Sequence, residues 1–143
     1  MRRIIFLDFD GVVAPIKRWD RYGDLDPACV QVLNEIVTQC PAEIVVSSTW
    51  RHGRTVAELQ ALLEAQGFVG RVVDTTPSFE AHNDRGEEIG AWLAENDVAG
   101  YVIIDDHSVG RALEPRLVVT QPWNGLQPAH VPLAIAVLRG EPC

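Results

Sequence analysis

Residues Ile4 to Val13 read IIFLDFDGVV, an apolar, strand-forming run that stops abruptly in two carboxylates, Asp8 and Asp10, followed by Gly11. Side chains i and i+2 of an extended chain share one side, so both carboxylates can converge on a single point. That geometry suits a hard cation and a phosphate. Acidic residues after a buried strand also serve as turn formers or helix caps, and Asp-x-Asp-Gly alone does not separate the two uses.

The rest of the chain supplies the context. Asp26 is suited to cap a helix over Pro27 to Gln39, with Pro27 at its first position and Val30, Leu33, Ile36, Val37 and Cys40 as an apolar stripe. Glu43 to Val46 reads as a short buried strand that stops at Ser47, Ser48 and Thr49. Thr55 and Glu58 form a capping box for a helix over Val56 to Gln66, with a core stripe of Val56, Leu59, Leu62 and Leu63. Gly67 suits its C-terminal end.

Arg71 to Asp74 is a third strand, and Thr75 to Asn83 reads as a loop. From Asp84 a helix carries acids in its first turn, which complement the helix dipole. Tyr101 to Ile104 is a fourth strand ending in Asp105 and Asp106, and Leu117 to Thr120 a fifth. Pro128 to Leu138 offers a last helix, whose start is expected near Val131 so that Pro132 falls in the first turn. Strands alternating with helices predict a parallel sheet covered on both faces, with right-handed crossovers. Ligands bind outside the carboxyl ends of such strands. Three strands end there in polar groups, which one site could gather.

With 143 residues, 47% hydrophobic and 22% charged, the chain reads as one globular domain over residues 1–143. After Arg2 and Arg3, only Ile4 to Leu7 precede Asp8, too short for a signal core or a membrane span, so a cytoplasmic protein is expected. Cys29 and Cys40, on one helix, would stand roughly 16 Å apart, beyond disulfide reach. A net charge of −8 argues against a broad grip on nucleic acid but leaves room for a local patch. Lys17, Arg18 and Arg21 with Trp19 and Tyr22 form such a cluster, although a solvated loop with snorkelling side chains is the more usual role for such residues. His52, His82, His107 and His130 lack zinc-site spacing, and only His107 adjoins the acidic pair.

The order Asp-x-Asp, Ser, a basic residue opening a later helix, then Asp-Asp resembles the haloacid dehalogenase (HAD) superfamily over nearly the whole chain. More narrowly, SSTWR at 47–51, RGEEIGAWL at 85–93, VIIDD at 102–106 and VVTQPWNGLQP near the end resemble the compact HAD domains of Swiss Army Knife RNA-repair proteins.

The resemblance implies a Rossmann-like α/β domain with strand order 5-4-1-2-3, helices on both faces and no large cap. It implies a Mg²⁺-dependent phosphomonoesterase in which Asp8 attacks phosphorus, Asp10 is general acid and base, Ser47 bonds the phosphoryl group and Arg85 neutralises its charge. Asp8, Asp105 and Asp106, with the backbone carbonyl of Asp10, would hold Mg²⁺. Ser48, Trp50, Arg51, Lys17 and Arg18 are the candidate substrate contacts, although capping the following turn is the commoner role for a residue placed like Ser48 and packing the commoner one for Trp50. Asp74 is expected to be a turn or cap residue. An open site suits a phosphate presented at the end of a nucleic acid or nucleotide. Two other classes stay open: a phosphoacceptor signalling module, whose scheme has no acid two residues beyond the nucleophile, and an idle HAD-like binding domain, in which a core carboxylate is normally lost.

Overall fold

Strand β1 (Arg3–Leu7) lies at the centre of a five-stranded, all-parallel sheet. The computed structural model describes residues 2–18, 23–78 and 84–140, so Trp19, Arg21, Tyr22, His82 and Cys143 lie outside the described residues. Strands β2 (Glu43–Val46) and β4 (Gly100–Asp105) flank β1, and β3 (Val72–Thr75) and β5 (Leu117–Val119) form the edges, giving the order β3-β2-β1-β4-β5. This is a single α/β domain of the expected topology.

The strands are apolar at successive positions because both faces are covered. Ile5 and Leu7 join a core with α1 (Pro27–Gln39), α2 (Val56–Glu64) and α4 (His130–Leu138). Ile4 and Phe6 point into a smaller core with Ile89 and Trp92 of α3 (Arg85–Glu95). All four of these β1 residues are fully buried, a contribution of about 1.5–3 kcal/mol each by area. Trp92 and Tyr101 both set their rings edge-on to Phe6.

The helix ends follow local chemistry. Asp26 accepts from the Ala28 amide, and Thr55 and Glu58 exchange both bonds of a capping box. Helix α4 begins at His130, which leaves Pro132 in the first turn, where its missing N–H costs nothing. Asp74 departs from the turn role expected of it: it sits in β3 and accepts the indole N–H of Trp92 at 2.7 Å, tying the sheet edge to α3. No helix among the described residues is long and apolar enough to cross a membrane.

The register sets the site. Leu7 is level with Val46 and with Ile104, so Asp8, Ser47 and Asp105 leave the sheet at one level. Backbone bonds from the amides of Asp8, Ser47 and Thr120 to Ile104, Leu7 and Asp105 extend the ladder past the strand ends.

Candidate active site

The turn after β1 is built from the glycine outward. Gly11 has φ +79°, which other residues resist, and a Cβ there would lie 2.3 Å from Asp106 Oδ2. The absent side chain is what lets the acidic turn approach the acids after β4. The turn is also braced by the segment that follows β5. Thr120 Oγ1 donates to the Gly11 carbonyl at 2.7 Å, and the Leu126 amide donates to the Val12 carbonyl at 2.7 Å. Gly125 fits beneath it, since a Cβ would stand 2.5 Å from the Val12 oxygen.

Asp8, Asp10, Arg85, Asp105, Asp106 and His107 line one cleft of about 670 Å³ at the carboxyl edge of the sheet. Thr49, Ile16, Asp84 and the segment from Ser108 to Gly110 complete its walls. Asp8 is buried and its Oδ1 accepts the Phe9 amide at 2.8 Å. Arg85 opens α3, held there by the Asp84 cap, and sends Nη1 between two carboxylates, 2.8 Å from Asp105 Oδ2 and 3.4 Å from Asp8 Oδ1.

One guanidinium does not offset this crowding. Burial, then the neighbouring Asp105, pushes the Asp8 carboxyl up to about 8 against the pull of Arg85. Burial likewise raises Asp105. Desolvation also raises Asp10, while the hydrogen bond from Trp50 pulls the other way. Carboxylates that resist ionising for want of positive charge are the donors a divalent cation takes up. Ligand atoms of Asp105, Asp106 and His107 lie within 4.8 Å of one another and could hold a metal ion. His107 Nδ1 is 2.8 Å from Asp106 Oδ1, so this exposed histidine either joins the group or orients Asp106.

Ser47 is fully buried, and its Oγ has no hydrogen-bond partner among the described residues. A buried hydroxyl without a partner costs free energy, and a bound anion within its reach would satisfy it.

The expected substrate contacts fare differently. Arg51 is the clearest departure, because its guanidinium is buried against Glu88 at 2.9 Å and donates to the carbonyls of Ser48 and Thr76. It ties α3 to the turn after β2 instead of facing the cleft. Ser48 is fully buried and caps the short 3-10 turn Thr49–Arg51 by accepting from Trp50 N. Trp50 spends its indole N–H on Asp10 Oδ1 at 2.9 Å. Lys17 and Arg18 line a neighbouring cavity of about 280 Å³, and Lys17 Nζ donates to the Trp123 carbonyl.

Thr120 and Glu88 escaped sequence reasoning. A signal existed for Thr120, which follows a short strand as Asp8 and Ser47 do.

A family model described as the HAD domain in Swiss Army Knife RNA repair proteins matches residues 4–131. The chain belongs to this family. No curated protein and no solved structure matches it significantly. Membership supports a phosphatase-like hydrolase, and the family normally uses a divalent metal, which the group after β4 could hold.

Proposed function

We propose that this HAD domain is a Mg²⁺-dependent phosphomonoesterase that works through an aspartyl-phosphate on Asp8. The observation that carries the reading is the position of Arg85, whose Nη1 stands between Asp8 and Asp105 in the cleft that Asp10 also lines. A phosphoryl group arriving at Asp8 would therefore meet a cation on one side and an acid on the other.

In the first step an Asp8 oxygen attacks phosphorus, the ester P–O bond breaks, and the leaving oxygen takes a proton from Asp10. In the second, Asp10 removes a proton from water, the water oxygen attacks phosphorus, and the bond to Asp8 breaks, releasing phosphate and restoring both carboxyls. Splitting one displacement into two lowers each barrier. Ser47 Oγ and the Arg85 guanidinium would bind the transferring oxygens, positioning and electrostatics being most of what phosphoryl transfer requires. Asp8, Asp105, Asp106 and the Asp10 carbonyl would hold Mg²⁺, with His107 orienting Asp106. Bound there, the ion supplies charge stabilisation at the phosphoryl oxygens.

The substrate we favour is a phosphate at the end of a nucleic acid or nucleotide. The connections 8–26 and 76–84 are too short to hold a second domain over the cleft, and the family description names RNA repair. An idle binding domain fits poorly, since all four carboxylates, the serine and the cation remain.

The test is phosphate release from 5′- and 3′-phosphorylated oligonucleotides, nucleotides and an aryl phosphate, with Mg²⁺ or a chelator. Release that needs metal and vanishes in Asp8→Asn is the expected result. No release from any substrate by the wild type would overturn the reading.

A further inference from the structure

Trp50 was expected to touch substrate or simply to pack, but its surroundings say something more specific. Its indole Nε1 lies 2.9 Å from Asp10 Oδ1. The ring is held in place from several directions. Phe9 packs against it with ring centres 5.3 Å apart, and the Arg54 guanidinium stands 5.3 Å from its centroid while Arg54 Nη1 bonds the Trp50 carbonyl. The Trp50 amide donates to Ser48 Oγ, and the next residue, Arg51, is anchored on Glu88. The indole is thus fixed to the acidic turn, and its backbone is tied to α3 through Arg51, before any substrate arrives.

An indole N–H donates and never accepts. The Asp10 oxygen facing it must therefore accept, and because the carbonyl oxygen of a carboxyl accepts better than its hydroxyl oxygen, a proton carried by this carboxyl favours the other oxygen, Oδ2. A general acid whose two oxygens exchange roles freely would present its proton only part of the time. We propose that Trp50 is a positioning residue that orients Asp10 and assigns its transferable proton to Oδ2. The inference rests on the phosphatase reading given above, in which Asp10 protonates the leaving oxygen.

Leaving groups supply the test, because a poor one needs the proton and a good one needs it less. Trp50→Phe keeps an aromatic ring beside Phe9 and Arg54 but has no N–H. A second variant, Trp50→3-benzothienylalanine, replaces the N–H by sulfur in a ring of nearly the same shape. For each, kcat/KM is measured on p-nitrophenyl phosphate and on phenyl phosphate, with circular dichroism confirming the fold.

A positioning role predicts a loss of roughly tenfold or more on phenyl phosphate and under about threefold on p-nitrophenyl phosphate, a fraction of what general acid catalysis supplies. An equal loss on both substrates, or none, overturns the inference while the wild type still vindicates the phosphatase reading. A wild type that hydrolyses neither compound, nor any oligonucleotide, overturns both.

Discussion

Thr120 Oγ1 donates a 2.7 Å hydrogen bond to the carbonyl of Gly11, across 109 positions of sequence and out of contact with solvent. The bond fixes the turn that carries Asp10 to the end of the last strand. Replacing Thr120 by Val keeps the shape and strands a buried carbonyl, which costs about 1–3 kcal/mol. Urea unfolding should show that loss, and phosphate release should fall with it at temperatures where the variant is still folded. Unchanged stability would mean the carbonyl finds another donor.

The buried pair of Arg51 and Glu88 makes a different prediction. Removing Arg51 deprives the buried Glu88 of its 2.9 Å partner and leaves the longer 3.9 Å contact to the partly exposed Arg85, so Arg51→Met should destabilise by up to about 3–5 kcal/mol. The double variant Arg51→Met with Glu88→Leu should recover part of this, because the buried carboxylate goes together with its nearest cation. Denaturant midpoints for the two singles and the double give the coupling directly. Additive losses would show that the pair acts through its separate hydrogen bonds.

Arg85 should matter far more to rate than to stability, since its side chain is partly exposed to the cleft. Arg85→Ala is expected to lower kcat by roughly 10²–10³-fold, the usual effect of losing a donor aimed at developing charge. Arg85→Lys should retain more activity than Ala, because a point charge still reaches the phosphoryl oxygens without the forked geometry. Equal activity in all three proteins would remove Arg85 from the chemistry.

The metal-free protein should show an unusual response to pH. Asp8 ionises at about 8 when folded, against 3.8 unfolded, because burial and then Asp105 disfavour its charge; burial likewise raises Asp105. A carboxyl with a raised folded pKa binds more protons in the native state, so its contribution is fully present below the unfolded value and is lost as pH rises through the folded one. With metal chelated, the melting temperature should therefore decline from about pH 5 towards pH 9. A divalent cation that binds the same carboxylates should raise it most at the alkaline end. A chelated protein that grew more stable across this range would contradict the assignment.

How much of this was legible beforehand depended on distance along the chain. The caps at Asp26 and Thr55, the stripe of α1 and the displacement of the α4 start by Pro132 are local patterns, and the structure keeps them. The topology came from resemblance as much as from periodicity, and it holds as well. What escaped were pairings between remote positions: Arg51 with Glu88, Trp50 with Asp10, Trp92 with Asp74, Thr120 with Gly11. Arg51 beside a motif serine looks like a substrate ligand, because nothing local reveals the buried carboxylate on α3 that claims it. Trp50 looked like packing or contact for the same reason.

The brace behind the acidic turn also has a consequence for synthesis. Asp8 and Asp10 leave a ribosome more than a hundred residues ahead of Thr120 and Leu126, which hold their turn. Closing so long a loop is slow and must be repaid by contacts that do not yet exist. A nascent chain stopped before β5 would carry every acid of the cleft and still lack the bonds that set the first two in place. Any chemistry in the cleft then has to wait for β5 and the segment that follows it.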